Sequence, residues 1–497
     1  MVRPKGEELE ALIEAGLAAG QLGEATRRAR GASIALAEAV VELGYLTLGD
    51  VTRALAASLA LPQADLERAD PAVAARLPED FAQSRSVVLV SAAGGRGVLA
   101  MADPLDEETF AEADRLSGLA LERQLATREA IQQTLMAVYR GGHLARIRDR
   151  LRNEMPEDSA HRVLTRRQAV AGVLLAVGLL LIVVWLGFLT TLIAVNAVLT
   201  VFYLVANAFK LRLILGSVGS PSEVVIAQED VFALEDAALP LYTLLVPMYR
   251  EAQVLPALVD GLLRLDYPPS KLDVKLVLEE DDEETISAAR LTRLPTFVQI
   301  LVTPSGEPNG KPKVCNYGLL HARGELVVIF DAEDRPQPDQ LKKVVAAFAR
   351  LPEQTCCVQA KLGFYNASQN ALTRWFTAEY GSWFELMLPG LQRGGYPIPL
   401  GGTSNHFLTE RLRAAGGWDP YNVTEDADLG IRIHKRGWVT AMLDSVTFEE
   451  ATSQVPNWIR QRSRWVKGYI QTYLVHMRTR CACGGRSGPG RSGRFSS

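Results

Sequence analysis

From Ala169 to Phe209 the chain carries no charged residue. One straight helix of that length would measure about 60 Å, twice the roughly 30 Å hydrocarbon core of a bilayer. Two spans joined by a tight turn near Gly187 to Thr191 fit better. The run is continuously apolar rather than striped, so it reads as a transmembrane hairpin and not as a helical pair buried in a soluble core. Arg162, Arg166 and Arg167 precede it, and Lys210 and Arg212 follow it. Positive flanks at both ends place both soluble parts in the cytoplasm.

The hairpin, residues 165–212, divides a chain of 497 residues, too long for one hydrophobic core. The parts are an N-terminal domain at 1–150, a larger domain at 240–477 and a tail at 478–497. The net charge of -4 gives no reason to expect a nucleic-acid partner. Five cysteines, none at zinc-site spacing, suit a reduced compartment. The start is charged and amphipathic, so no signal peptide is expected. The tail is rich in Gly, Ser and Arg and cannot form a core or a span. A frameshift or truncation of the coding sequence is the expected origin of that tail.

The N-terminal domain reads as helices followed by a small α+β unit. Ala35 to Leu61 has helical periodicity, broken at Gly44-Tyr-Leu-Thr47, with Thr47 and Asp50 as helix-start residues. Val87 to Val90 and Gly97 to Met101 read as strands around the Gly94-Gly95 turn, and Ala102-Asp-Pro-Leu105 leads into a helix. No phosphate loop is present: Gly306-Glu-Pro-Asn-Gly310-Lys311-Pro312 has the wrong spacing and no hydroxyl.

After Pro240 strands and helices alternate, which implies a largely parallel sheet with helices on both faces and ligands at the carboxyl ends of its strands. Acidic clusters fall at those ends: Glu279-Glu-Asp-Asp282 after one strand and Asp331-Ala-Glu333-Asp334 after another. Asp331 and Glu333 are hard oxygen donors able to grip one divalent ion, Mg²⁺ or Mn²⁺, that neutralises a diphosphate; an exposed acidic turn is the plainer alternative. Glu279 and Glu280 either face a nucleotide base and ribose or lie in a solvated loop. Lys311 and Lys313 open a helix and either meet a diphosphate or form a basic surface turn. Thr424-Glu425-Asp426 opens a helix running toward His434, where carboxylates are also ordinary caps. Adjacent helical residues do not share a face, so Glu425 is expected to point away from the direction of Asp426. Trp458 to Leu474 forms an amphipathic helix with Gln461, Arg464 and Trp465, suited to a membrane surface, to a diphosphate and to stacking on a sugar.

Two resemblances follow. Leu43-Gly-Tyr-Leu-Thr47, Leu61-Pro62, Leu77-Pro78, Met101-Ala-Asp-Pro-Leu105 and Ala126-Thr-Arg-Glu-Ala-Ile131 resemble the N-terminal domain of type II secretion and type IV pilus assembly ATPases. Some members of that family bind cyclic di-GMP through Arg-Leu-Gly-type turns. Here the corresponding place reads Ala35-Leu36-Ala37, so cyclic di-GMP and a protein partner both remain expectations.

Residues 241–477 resemble family 2, cellulose-synthase-like membrane glycosyltransferases. The resemblance implies a GT-A (Rossmann-like) α/β catalytic domain, a divalent metal, a nucleotide-diphosphate sugar (a UDP-sugar the expected donor) and inversion at the anomeric carbon. By position, Asp426 matches the general base, and Asp331 with Glu333 matches the metal motif, whose second member is usually Asp. Pro247, Tyr249, Glu251, Glu279, Glu280, Lys311 and Asn316 match the nucleotide-sugar site. Gly402, Gln461, Arg464 and Trp465 match the acceptor and diphosphate site. The whole implies a hexosyltransferase of the bacterial inner membrane that extends a polysaccharide. A single-sugar transferase to a lipid carrier and a catalytically impaired scaffold are the alternatives.

Overall fold

The computed structural model describes residues 61–478, except 67–68, 105, 219–221 and 296, together with part of the stretch from Leu12 to Ala57 that includes helix α1 (Ala19–Ala32). The break at Gly44-Tyr-Leu-Thr47, the Thr47 and Asp50 helix starts, the Ala35-Leu36-Ala37 site and the tail beyond Arg478 lie wholly or partly outside the described residues.

In the N-terminal domain β1 (Val87–Ala93) and β2 (Arg96–Met101) pair antiparallel, Val87 opposite Met101. Gly94 and Gly95 both have positive φ, +57° and +79°, which a two-residue hairpin turn of matching twist requires. After α2 (Glu107–Ser117), β3 (Ala120–Leu125) adds parallel to β2. Its sequence, Ala-Leu-Glu-Arg-Gln-Leu, has three polar residues in a row, so its apolar signal is weak. The sheet packs on α3 (Arg128–Val138), and α4 (Arg140–Glu154) leads away toward the larger domain.

The hairpin is two helices, α5 (Arg166–Leu186) and α6 (Phe188–Ser217), broken only at Gly187, whose φ of +79° ends the first helix. A capping box between Thr165 and Gln168 starts α5. Both helices are long and apolar enough to cross a bilayer, and no described residue of α5 is buried, so the pair does not form a soluble core. Both feet stand on the larger domain. At one foot the Gln168 amide donates to Leu474 O at 2.8 Å. At the other, Ser217 Oγ donates to Leu386 O, and Ser222 Oγ to Pro389 O at 2.6 Å.

The larger domain is built on an eight-stranded sheet. Its strands are β4 (Tyr242–Met248), β5 (Leu272–Glu279), β6 (Val298–Thr303), β7 (Leu326–Ile329), β8 (Arg335–Pro336), β9 (Thr355–Phe364), β10 (Asn405–Leu408) and β11 (Val439–Glu449), in the order 6-5-4-7-10-9-11-8. The first four are parallel; β10 runs antiparallel to both β7 and β9, β9 and β11 are parallel, and β8 is antiparallel. The sheet is therefore mixed rather than largely parallel. One reversed strand has a chemical use: the turn before β10, Gly401-Gly402, arrives at the same edge as the carboxyl ends of β4, β5, β7, β9 and β11. Helices α7 (Leu255–Leu263), α8 (Glu283–Leu291), α9 (Lys311–Leu320) and α10 (Gln340–Arg350) cover the faces, with a core centred on Leu244, Val246, Leu276 and Val328. Helix α11 (Ala371–Gly381) passes through a π turn, Ser382–Met387, into α12 (Leu388–Arg393), which packs against the end of α6. Helices α13 (Thr409–Ala414), α14 (Glu425–Lys435) and α15 (Val455–Met477) complete the domain.

Candidate active site

The carboxyl edge of the sheet gathers acid around one lysine. Lys311, the first residue of α9, places Nζ 2.6 Å from Asp331 Oδ1 and donates to Gly402 O at 2.6 Å. Burial opposes its charge, but Asp331, Asp426 and Glu425 outweigh burial and hold its pKa well above the ordinary lysine range. A methyl group on Gly402 would sit 3.8 Å from Asp426 Oδ2, so the glycine turn lies against that carboxylate.

The acids outnumber the cation. Burial and then Asp331 and Glu333 push Glu251 up to about 7. Burial and then Asp331 raise Glu333. Asp334 is raised strongly by burial and Asp331; it accepts from Thr403 Oγ1 and from the Asp331 amide at 2.8 Å, and its Oδ1 has no hydrogen-bond partner. Glu449, at the end of β11, is raised by burial and by Asp334, and its Oε1 also lacks a partner. Asp426 is buried, its Oδ1 is unpartnered, and burial with Glu425 raises its pKa well above the carboxylate range. So many carboxylates in one low-dielectric pocket hold protons or attract a cation.

The donor set fits a divalent ion that shares its shell with a diphosphate. Asp331 and Glu333 offer hard oxygens beside the unpartnered Oδ1 of Asp334. Among the described residues no three His, Cys, Asp or Glu side chains converge tightly enough to enclose an ion alone. That suits Mg²⁺ or Mn²⁺ held by one or two carboxylates plus substrate phosphate oxygens.

The group expected on the nucleotide side is organised around a buried pair. Lys313 Nζ lies 3.0 Å from Glu279 Oε2 and 2.9 Å from Asn309 Oδ1. Glu280 accepts from the Ser305 amide at 3.0 Å. Asp282 caps α8 and accepts from the Arg250 amide, which fixes Arg250 at φ +58°. This turn presents half-buried Pro247, exposed Tyr249 and Glu251 at the end of β4. Glu279 is therefore committed to Lys313, so Lys313 is neither a surface turn residue nor free for a diphosphate.

Asn316 needs correction as a nucleotide contact. Its amide gives one hydrogen to Ile147 O at 3.1 Å and the other to Trp418 O at 2.7 Å, while its oxygen accepts from Trp418 N at 2.9 Å. No donor remains for a nucleotide; the residue ties α9 to α4 and to the loop before α14. Glu425 also needs correction. It is buried, with Lys311, Asp331 and Arg464 all acting on its charge, so it faces the same pocket as Asp426.

Helix α15 closes the site from the other side. A Cβ on Gly468 would lie 2.4 Å from Thr424, so the helix touches the residue that precedes Glu425 and Asp426. Three residues earlier, Trp465 packs at 6.1 Å from Phe376 and 6.5 Å from Tyr380 between ring centroids. Arg462 lies 4.6 Å from the Trp465 ring and 4.9 Å from that of Phe376, and pairs with both oxygens of Glu379. Arg464 is exposed on the side of Glu425, and Gln461 accepts a long bond from Thr452 at 3.5 Å. Arg462 and Glu449 were not assigned a role from the motifs, and Asp334 was read only as part of the acidic cluster after β7; the contacts of Arg462 with Trp465, Phe376 and Glu379 and the place of Glu449 beside Asp334 depend on the fold.

Residues 240–468 match glycosyltransferase-like family 2, and residues 59–144 match the MshEN domain. A beta-monoglucosyldiacylglycerol synthase of Trichormus variabilis is 29% identical over 242 residues, 48% of this chain and 50% of that protein. A probable glucomannan 4-beta-mannosyltransferase of Arabidopsis thaliana is 30% identical over 258 residues, 48% of this chain and 45% of that protein. The chain spans about half the length of the curated relatives it matches. Among solved structures, a mannosyltransferase from Pyrobaculum calidifontis in complex with GDP-Man and Mn²⁺ is 22% identical, with a TM-score of 0.45, covering 57% of this chain and 75% of that one. A structure of MshE with cdg is 23% identical, with a TM-score of 0.25, covering 27% of this chain and 99% of that one. The chain thus joins a family 2 glycosyltransferase domain to an MshEN domain.

Proposed function

We propose that this family 2 glycosyltransferase domain moves a sugar, with inversion, from a nucleotide-diphosphate sugar to a hydroxyl of a growing polysaccharide at the cytoplasmic face of a membrane. A UDP-sugar is the expected donor. The observation that carries the reading is Asp426: a buried carboxylate oxygen without a partner, beside the cradle formed by Lys311, Asp331 and the Gly402 carbonyl.

Asp426 takes the acceptor proton, which an alcohol does not release at neutral pH unaided. It acts in its ionised form, which the charge of Lys311 favours against burial and Glu425. The deprotonated oxygen forms a bond to the anomeric carbon as the bond to the diphosphate oxygen breaks on the opposite face. Lys311 and Arg464 take up the charge gathering on the leaving diphosphate. A divalent ion held by Asp331 and Glu333 would supply further neutralisation of that charge. Trp465, steadied by Phe376, Tyr380 and Arg462, gives the acceptor ring a flat surface.

A lipid-linked hydroxyl is the second reading of the acceptor. It is favoured by the hairpin feet on the catalytic domain and by the lipid product in the name of the Trichormus relative. The N-terminal domain is the place for cyclic di-GMP or a protein partner; the MshE structure carries the former. Membranes containing the protein, incubated with a panel of labelled nucleotide sugars, test the activity. A ladder of products supports the polysaccharide, one short lipid-soluble product supports the lipid acceptor, and no turnover of any donor supports the scaffold.

A further inference from the structure

The segment between α4 and α5, residues 155–165, does not hang as a linker. It is strapped to the catalytic domain by charge. Asp158 Oδ1 pairs with Lys435 Nζ and lies 3.8 Å from His476 Nδ1, and its Oδ2 lies 3.8 Å from Arg436. Ser159 is 1% exposed; its hydroxyl and the Ala160 amide both donate to Asp419, which is fully buried. The Arg478 guanidinium donates to three strap carbonyls, Glu157 at 3.0 Å, Ser159 at 2.8 Å and Arg162 at 2.7 Å.

The strap reaches helix α14 at both ends. Lys435 and Arg436 lie at its C-terminus. Toward its N-terminus the route is His476, whose Nε2 is 2.8 Å from Asp428 Oδ1. Asp428 is fully buried and accepts from Arg432 Nε at 2.7 Å, and Arg432 Nη1 donates to Ala415 O at 2.7 Å. Asp428 lies within the same turn as Glu425 and Asp426. Burial opposes its charge, but Arg432 and His476 outweigh burial and keep its pKa below the usual range. Breaking one member of such a network leaves an uncompensated buried charge, so the arrangement is stiff.

We propose that Asp158, His476 and Asp428 are positioning residues that let the connection from the N-terminal domain set where Asp426 stands. The inference rests on the assignment of Asp426 as the base of sugar transfer. Displacement of the strap, by whatever the N-terminal domain binds, then acts on turnover rather than on donor affinity, because the strap, unlike α4, which Asn316 ties to α9, touches neither Lys311 nor the Glu279 and Lys313 pair. Misplacement of a reacting group by about 1 Å can cost up to 10²-fold in rate.

The test uses the full chain in lipid nanodiscs. Asp158→Ala and His476→Gln should each lower kcat about tenfold with donor KM within about twofold, and the double variant should lose no more than the worse single one. Amide exchange across residues 424–436 should quicken in Asp158→Ala. Arg115→Ala, which breaks only an exposed pair with Glu112 on α2, should change neither. Additive losses, a rise in KM in place of the fall in kcat, or unchanged exchange at 424–436 would overturn the inference. Asp426→Asn is measured alongside: if it retains transfer, the base assignment is wrong, and the exchange arm still decides whether the strap governs α14.

Discussion

Gly468 offers a sharp test of how α15 and α14 assemble the site. Replacing it with alanine puts a Cβ 2.4 Å from Thr424 Cγ2 and Oγ1 and 2.7 Å from its Cβ, where real Cβ atoms essentially never come within 3.0 Å. The helices must part by at least about 0.6 Å to reach that limit, and by about 1 Å for ordinary contact. Two stability effects compete. Alanine favours the helix by roughly 0.5–1 kcal/mol over glycine, whereas overpacking typically costs about 1–3 kcal/mol. The net loss of stability is therefore small, about 0–2 kcal/mol. Activity answers to a different quantity. Asp426 is two residues from Thr424 and Trp465 three from Gly468, so the shift falls on the distance between base and acceptor platform, where about 1 Å is worth up to 10²-fold. Gly468→Ala should thus leave the melting temperature nearly unchanged and lower kcat by about ten- to a hundredfold in a labelled-donor assay. Thr424 makes no side-chain cap bond, so Thr424→Gly, which removes the clashing atoms, costs little on its own and should restore much of the loss. Near-normal kcat in Gly468→Ala, or no rescue in the double variant, would refute the reasoning.

Chelation should abolish turnover, and Mg²⁺ or Mn²⁺ should restore it; Asp331→Asn should lose more activity than Asp334→Asn, whose Oδ2 is taken up by Thr403 and the Asp331 amide, and the reverse ranking would make Asp334 the ligand. Asp426→Asn should still bind donor, measured by calorimetry, while transfer falls by about 10²–10⁴-fold. Glu425→Gln should fall between that and the native rate, since Glu425 shares the pocket. Burial and Asp428 push Asp419 up to about 6. A raised carboxylate stabilises the fold fully below its unfolded value near 4 and loses that contribution as pH rises through about 6. Melting temperatures of the native protein relative to Asp419→Asn should accordingly decline between about pH 4 and pH 6 and then level off; a flat difference would count against the buried Asp419. Reporter fusions after Glu154 and after Val224 should give the same cytoplasmic signal, and opposite signals would mean that only one helix crosses the membrane.

The strands that carry the chemistry were legible because they are buried on both faces and end in acids: β5 runs into Glu279 to Asp282, and β7 into Asp331 to Asp334. β10 was not, because Asn405 to Leu408 is too short for a period and its place between β7 and β9 is decided by non-local pairing. Asn316 was misplaced for a related reason. The motif fixes its position on α9, but Ile147 and Trp418, which take both its amide hydrogens, lie far off in sequence. Glu425 was misjudged through a rule for helix sides. At a helix start that points into a pocket, with Thr424 still outside helical geometry at φ -129°, side chains of the first turn splay around the end and both reach inward. The hairpin, by contrast, follows from the length of the uncharged run, about twice a bilayer's thickness, and the helix breaks at Gly187 near its middle.

The strap also sets a timetable for biosynthesis. Ala160 meets Asp419 only after another 259 residues have been added. At about 5–20 residues per second that is an interval of roughly 13–50 s. For most of it, once Ser217 has been added, the hairpin is available to the bilayer while Asp158, Ser159 and Ala160 have no counterpart to bind. In the proposed topology, insertion of the hairpin therefore precedes the joining of the two soluble parts. A nascent chain stalled before Asp419 would present that segment uncovered, a natural point for a protease to recognise an unfinished copy.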